Sequence, residues 1–364
     1  MQKKIIALAV AGLVSGAAFA QSNVTIYGVA DLGYGRLSGS EATPTFAKQK
    51  NYNGIDAGNQ TTSRIGFRGT EDLGNGLSAG FTYEFGLTPD NGATSLTDRV
   101  QILTLSSKSA GTLVMGRLVN PARALVNAQD PFGGGTGVGH SQNIQFQTTW
   151  ADNVIAYASP NFSGFDVTVG YSTQLANAEA AIAKGAVDTN IKGWVLVPKY
   201  ANGPITAGLS YESFDRDGTA PGNQDLNLRR WNFAGSYDFG VAKLGGTYGT
   251  AKFDNLAAVA GDTDIKQWML SVSAPITANG TLMGSYNRIT IDNGPGNDAK
   301  ASQWAVGYSH AMSKRTNAYV TYASLSTNNT AEGQFSVGNQ FNALAAPTTS
   351  GYTNGLNVGL RHTF

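Results

Sequence analysis

Three histidines, His140, His310 and His362, are the only imidazoles in the chain, and cysteine is absent. A zinc site needs four convergent His, Cys or carboxylate ligands. The three histidines lie far apart in the sequence, so no metal is expected. His140 stands next to Ser141, the residue types of a general base and a nucleophile. Adjacency on one stretch of chain does not make a triad, whose base and nucleophile converge with a third, orienting group. A hydrolase using His140 or His362 is therefore the weaker reading. The run GGGTGVGH (133–140) lacks the lysine of a phosphate-binding loop, and no cofactor is expected. Basic residues are dispersed without aromatic interleaving, which argues against nucleic acid as a partner.

The residues that can do physical work are arginines placed on strands. Residues 63–87 read SRIGFRGTEDLGNGLSAGFTYEFGL. Side chains alternate across a strand. Arg64 and Arg68 thus share one face, while Ile65 and Phe67 share the other. After the turn EDLGNG, Leu77, Ala79, Phe81, Tyr83, Phe85 and Leu87 share an oily face; Ser78, Gly80, Thr82, Glu84 and Gly86 share a polar one. In a soluble sandwich the oily face meets a core. In a membrane barrel it meets lipid, and the arginines line a water-filled hole.

Composition favours the barrel. Only 13% of residues are charged, about half the usual share, yet hydrophobics are only 41%. That balance suits strands that interleave oily and polar residues. Residues 1–20, MQKKIIALAVAGLVSGAAFA, read as a signal peptide, with Lys3 and Lys4 before an apolar core and Ala18-Phe19-Ala20 as the cleavage site. The apolar run is shorter than the ~20 residues of a spanning helix. The domain organisation expected is a leader over 1–20 and one barrel over 21–364. Without Lys3 and Lys4, 25 − 2 = 23 basic residues face 24 acidic ones, a net of −1 with no general pull on polyanions.

Alternating runs of roughly nine to twelve residues recur to the end of the chain, the length of a tilted strand crossing a bilayer. Their connections alternate strictly between short and long. Seven are short: 71–76, 106–111, 159–164, 201–204, 238–241, 275–280 and 310–315. Eight are long: roughly 37–60, 88–97, 118–150, 174–191, 214–228, 254–263, 291–300 and 326–352. Seven turns and eight loops require sixteen strands, with short periplasmic turns and long outer loops. Within one long loop, ANAEAAIAKGA (176–186) has the composition of a short helix. An open edge in lipid leaves backbone groups unpaired at several kcal/mol each, so the terminal strands, the last ending in Phe364, must pair. Aromatics such as Trp231, Trp268 and Trp304 recur near strand ends on the oily face, as in an interfacial girdle.

The motifs SNVTIYGVADLG, SRIGFRGTEDLGNGLSAGFTYE, GTLVMGR before a long loop with DPFGGG, NVIAYASPNFSGFDVTVGYS, SHAMSKRTNAYVTYA and terminal VGLRHTF span nearly the whole chain. Together they resemble the general porins of Gram-negative outer membranes, of the beta-proteobacterial type. The resemblance implies an all-β, sixteen-stranded antiparallel transmembrane barrel with a third loop folded into the lumen. It also implies a homotrimer among outer-membrane lipid and lipopolysaccharide, and passive diffusion of small hydrophilic solutes. Phe364 would be read by the barrel assembly machinery.

For the lumen, the expected wall arginines are Arg36, Arg64, Arg68 and Arg117, with Arg64 nearest mid-barrel. Arg64 and Arg68 are four residues apart, about 13 Å at ~3.3 Å per residue. The long third loop (118–150) is expected to form the constriction, bent by Gly133 to Gly135, and brings Arg123 and Asp130. Rings of charge at the narrow level select ions, and this balance predicts a mild anion preference. Family members often carry an arginine just before the strand that follows this loop. Here TTWADN stands instead, and Asp152 can offset the field. Asp31 and Glu84 point inward by alternation, as wall residues or partners of an arginine. The competing reading is a solute-specific channel whose saturable site combines Arg64, Arg123, Asp130 and Phe132. A plugged structural barrel is a further alternative.

Overall fold

The structure, a computed structural model, describes residues 24–39, 51–91, 96–133, 137–175, 191–216, 226–254, 262–292, 298–328, 335–337 and 351–364. The expected leader, Gly134, Gly135 and the helix expected over 176–186 lie outside the described residues. The strands of the first half are β1 (Thr25–Gly39), β2 (Tyr52–Ala57), β3 (Arg64–Gly74), β4 (Leu77–Gly86), β5 (Thr97–Ser107), β6 (Gly111–Val119), β7 (Trp150–Ala158) and β8 (Phe165–Ser172). Those of the second are β9 (Ile191–Asn202), β10 (Ile205–Arg216), β11 (Leu226–Asp238), β12 (Lys243–Asp254), β13 (Thr263–Pro275), β14 (Gly280–Asp292), β15 (Ala299–Ala311), β16 (Thr316–Thr327) and β17 (Tyr352–Thr363).

All seventeen segments belong to one sheet. β2 and β3 lie end to end along the same edge of β1, with Leu32 opposite Ala57 and Val29 opposite Arg64. They are two halves of one strand, so 17 − 1 = 16 strands surround the barrel. Closure comes from β1 and β17, antiparallel from Val29–Thr363 to Gly39–Tyr352. No backbone edge faces lipid, which is what makes a sheet tolerable in a membrane. The first long loop is shorter than expected: β1 extends to Gly39 and β2 occupies 52–57 within the span read as loop. The residues inserted between β2 and β3 fold inward around Asp31, which accepts the Gln60 and Thr61 amides at 2.8 and 2.6 Å and the Tyr319 hydroxyl at 2.5 Å.

Alternation fixes the register, because a slip of one residue would exchange the two faces of a strand. Ile26 (60% exposed), Phe233 (56%) and Leu270 (62%) point outward, whereas Glu212, Asn287 and Gln303 point inward and are fully buried. The outward residues form an apolar surface far beyond the few hundred Å² that soluble monomers expose. No helix among the described residues is long and apolar enough to cross a membrane; the strands cross instead. The interior is not uniformly polar. Phe253, Ile265, Ile289, Ile291, Ala301 and Leu325, on the inward faces towards the outer ends of β12–β16, join Phe132, Val138 and Ile144 of the third loop in one buried apolar cluster.

Candidate functional site

The third loop leaves β6 at Asn120, whose side chain caps the amide of Ala122. Pro121 then supplies a preset φ at the first turn of a short helix, α1 (Pro121–Asn127). Sequence reasoning missed this helix, because seven residues are too few to show a helical period. Its Ala122 and Leu125 bury against Val195, Val197 and Ala234 of the wall. The loop then crosses the barrel, fastened strand by strand. Ser271 donates to the Gln129 carbonyl at 2.7 Å, and Gln303 Nε2 to the His140 carbonyl at 3.0 Å. Gln267 Oε1 accepts the Phe146 amide at 2.7 Å while its Nε2 donates to the Phe146 carbonyl at 3.1 Å. At β10 and β11, Glu212 pairs with Arg230, which also donates to Thr148 Oγ1 at 3.0 Å. On the opposite side Gly137 touches the Asn59 backbone so closely that any Cβ would overlap its carbonyl.

His140 is part of this fastening. It is buried, with Nδ1 2.8 Å from the Gly133 carbonyl and Nε2 3.1 Å from the Asn59 carbonyl. A neutral imidazole has one N–H and can donate to only one of them; the imidazolium can donate to both. Asp130 does not face the passage as expected from the sequence. Its carboxylate turns into the loop, accepting the Phe132 amide at 3.0 Å and the Ser141 amide at 2.8 Å. Burial pushes its carboxyl above the usual carboxylate range, and the facing His140 opposes that rise. Arg123 is buried too, donating to Gln142 Oε1, and burial with the nearby Arg99 lowers its guanidinium to about 10. Phe132 is in the apolar cluster. Asp130 and Phe132 are thus taken up by the loop's own packing, while Arg123 lies within electrostatic reach of Arg99, beside Arg64.

Next to Asn59, β3, β5 and β17 present a row of cations beside Tyr27 of β1 and Glu84 of β4. Arg64 Nε lies 3.1 Å from Glu84 Oε2, and Arg99 Nε lies 2.6 Å from Glu84 Oε1. Tyr27 donates its hydroxyl to the same carboxylate at 3.3 Å, and the Arg68 guanidinium sits 5.0 Å from the Tyr27 ring centroid. Arg361 donates to Thr61 Oγ1 at 2.9 Å. Arg64 retains 23% of its side-chain exposure, against 1% for Arg230. Arg64 and Arg99 thus share one buried acid, Glu84, while Arg68 stacks on Tyr27 and Arg361 lies within electrostatic reach of Asp31. Arg117 is neutralised by an ion pair with Asp152 and lies over Trp150, whose ring also sits 5.0 Å from the Arg99 guanidinium.

Arg36 is corrected: it is exposed on the face of β1 shared with Tyr34, opposite Asn53 and Leu356, away from the lumen. Arg99 was missed for a physical reason. Counting back from the outward Leu105 and Leu103 puts Arg99 outside. A bulge between β4 and β5, where Tyr83 opposes Gln101 but Phe85 opposes Asp98, turns it inward. Arg230 and Arg361 had a signal, since both share a face with the polar residues of their strands.

Comparisons with known proteins place this geometry among relatives. The family profile described as Gram-negative porin matches residues 7–330. The outer membrane porin protein 32 of Delftia acidovorans is 32% identical over the full length of both chains. An outer membrane porin protein of Bordetella pertussis is 34% identical over 59% of this chain; the match spans 60% of that relative's length. Among solved structures, an anion-selective porin from Comamonas acidovorans superposes with a TM-score of 0.76 at 28% identity, covering 94% of this chain and 100% of that one. The trimer form of OmpT, an outer membrane protein of Vibrio cholerae, shares the fold at a TM-score of 0.70 and 15% identity, covering 94% and 99%.

Proposed function

The chain belongs to the Gram-negative porin family, and from that premise we propose that it is an outer-membrane channel for passive diffusion of small hydrophilic solutes and ions, with a mild preference for anions. One observation carries the preference: Arg64, Arg68, Arg99 and Arg361 line one side of the lumen, four cations beside the two carboxylates of Glu84 and Asp31. The third loop packs on β9–β16 and reaches across to Asn59, and in this reading solutes pass beside these arginines. Charge at a narrow level selects by sign, and two further charge pairs cancel, Arg117–Asp152 and Arg230–Glu212. The wall also orders a passing solute: anionic groups turn toward the arginines, and hydroxyls exchange water for the polar rim. The anion-selective Comamonas relative supports the same sign.

The barrel works as a homotrimer in this reading, as the trimeric OmpT relative supports. The terminal Phe364 is the residue the assembly machinery engages. The reading as one mature barrel after a cleaved leader belongs to the same proposal. The test is the reversal potential of the refolded protein in a planar bilayer under a KCl gradient. Stepwise conductance with a potential on the chloride side is expected. A potassium-side potential would overturn the arginine assignment, and a folded barrel that never conducts would overturn the channel.

A further inference from the structure

Between the barrel wall and the third loop lies a cavity of about 290 Å³. The register of three strands builds its floor. Gly33, Gly35 and Leu37 of β1 face inward, and residues directly opposite share their face: Asp56, Gly54 and Tyr52 on β2, and Gly359, Asn357 and Gly355 on β17. Glycine makes the room. The Tyr52 side chain lies over Gly54 and the Asp56 carboxylate over Gly35, where a Cβ on either glycine would overlap it. Gly137 and Val138 of the third loop line the other side, with Tyr352. The pair Gly33–Asp56 is four residues along β1 from the pair Val29–Arg64, about 13 Å at ~3.3 Å per residue, and away from the short turn at 71–76. A solute entering from outside meets this cavity before the arginines.

Its polar groups are held in place by their neighbours. Gly58, at φ 77°, turns the chain after β2, and Asn59 Nδ2 donates to the Asp56 carbonyl at 3.1 Å. Tyr52 donates its hydroxyl to Asp56 Oδ1 at 2.5 Å. That bond orients the carboxylate and leaves most of its capacity unspent, since a carboxylate has about four acceptor sites. Asp56 is half-buried, and no lysine or arginine among the described residues pairs with it.

We infer that this cavity binds the pyranose ring of a neutral sugar. Two adjacent sugar hydroxyls donate to Oδ2 and to the remaining lone pair of Oδ1 of Asp56. Tyr52 and Tyr352 offer aromatic surface to the apolar C–H face of the ring, and their hydroxyls offer polar tips to its rim. Ligand pockets run from ~300 to 1,000 Å³, so this one takes a single ring. Charge excludes the other classes of occupant: Asp56 repels an anion, and the arginine row, which includes Arg361 on the adjoining β17, repels a cation. The inference rests on the channel reading for the route by which the sugar arrives, whereas binding itself is measured without conduction.

The experiment is saturation-transfer NMR on the full barrel in detergent micelles, with D-glucose as the probe and the open-chain polyol sorbitol as its control. Wild type is expected to transfer saturation to glucose saturably, and at least ten-fold less to sorbitol, which has hydroxyls but no ring face. Asp56→Asn, which keeps the side-chain volume, and Tyr52→Ala should each weaken glucose binding at least ten-fold. Arg64→Ala should bind glucose as wild type does. Heat-modifiable migration on electrophoresis certifies that each variant is folded. Equal transfer to glucose and sorbitol, or wild-type affinity in Asp56→Asn, overturns the site. Displacement of glucose by equimolar butylammonium would assign the cavity to a cation and overturn the sugar. A barrel that binds glucose yet never conducts would overturn the channel and leave the site standing.

Discussion

The Arg230 guanidinium embraces Glu212, Nε to Oε2 at 2.5 Å and Nη2 to Oε1 at 2.7 Å, with both side chains almost wholly buried. Asn120, the cap of α1, donates to the same carboxylate at 2.6 Å. One acid on the wall therefore holds both the entry and the exit of the third loop, since Arg230 also reaches the Phe146 carbonyl and Thr148. Breaking a buried pair by removing one partner leaves the other charge uncompensated, at about 3–5 kcal/mol. Glu212→Ala should therefore release the loop while the barrel stays closed. The expected readout is a noisy single-channel trace and new proteolytic cleavage within 118–150. A quiet trace in a cleavage-resistant loop would show that the pair is not the anchor.

Arg64 and Arg99 should carry the ion preference together. A unit charge about 6 Å from a passing ion contributes roughly 0.7 kcal/mol in water, about a three-fold change in local concentration. Arg64→Ala and Arg99→Ala should each lower the chloride-to-potassium permeability ratio by about that factor. The double variant, which leaves Glu84 alone, should reverse the sign. The reversal potential under a KCl gradient measures all three.

Asp130 offers the opposite expectation. Because its carboxylate serves the Phe132 and Ser141 amides, Asp130→Asn should leave selectivity unchanged in sign and size. It should loosen the loop, because a buried amide left without its acceptor costs about 1–3 kcal/mol. The pH dependence follows from the direction of its shift. Burial raises the folded carboxyl above its unfolded value, so the folded state holds the proton more tightly. This contribution is complete below the unfolded value of ~3.9 and is lost as pH rises through the raised folded value. Loop cleavage rates measured across that window should increase with pH in wild type, and the Asp130→Asn variant should lose this part of the dependence.

Arg36 is an internal control. It lies on the outer face of β1 beside Tyr34, so Arg36→Ala should give a reversal potential indistinguishable from wild type. A shift comparable with that of Arg64→Ala would mean that β1 is a residue out of register.

The seam of the barrel depends on its last residue. Phe364 and Gly28 exchange two backbone hydrogen bonds, at 3.0 and 3.2 Å, and the Phe364 ring covers the Gly28 Cα so closely that a Cβ there would overlap it. Gly28→Val should lower the yield of heat-modifiable folded barrel on electrophoresis, and deletion of Phe364 should lower it further. Full yield from both would place closure elsewhere along β1 and β17.

The comparison of sequence with structure turns on where alternation holds. On β10 the alternation of Leu209 and Tyr211 with Ser210 and Glu212 assigns each residue its face, and on β11 Trp231 and Phe233 do the same for Arg230. Both partners of the central ion pair were therefore legible as inward, but not as partners. They lie 18 residues apart on neighbouring strands, and only the register of β10 with β11 sets Glu212 opposite Arg230. Arg99 was missed and Asp130 misread, for different reasons. A bulge inverts the count before Arg99, and a loop side chain has no period to obey.

By itself the sequence determined the closed barrel, the sides on which short turns and long loops lie, and the face of each regular residue. These follow from local period and from the cost of an unpaired backbone in lipid. Only the tertiary structure decided which charges remain free to act. Glu84 is shared by Arg64 and Arg99, Arg117 is cancelled by Asp152, and Asp130 is spent inside its own loop. A charge's effect on a passing ion depends on its nearest opposite charge, and that neighbour is chosen by closure of the sheet and the path of one loop across it, at separations no local pattern records.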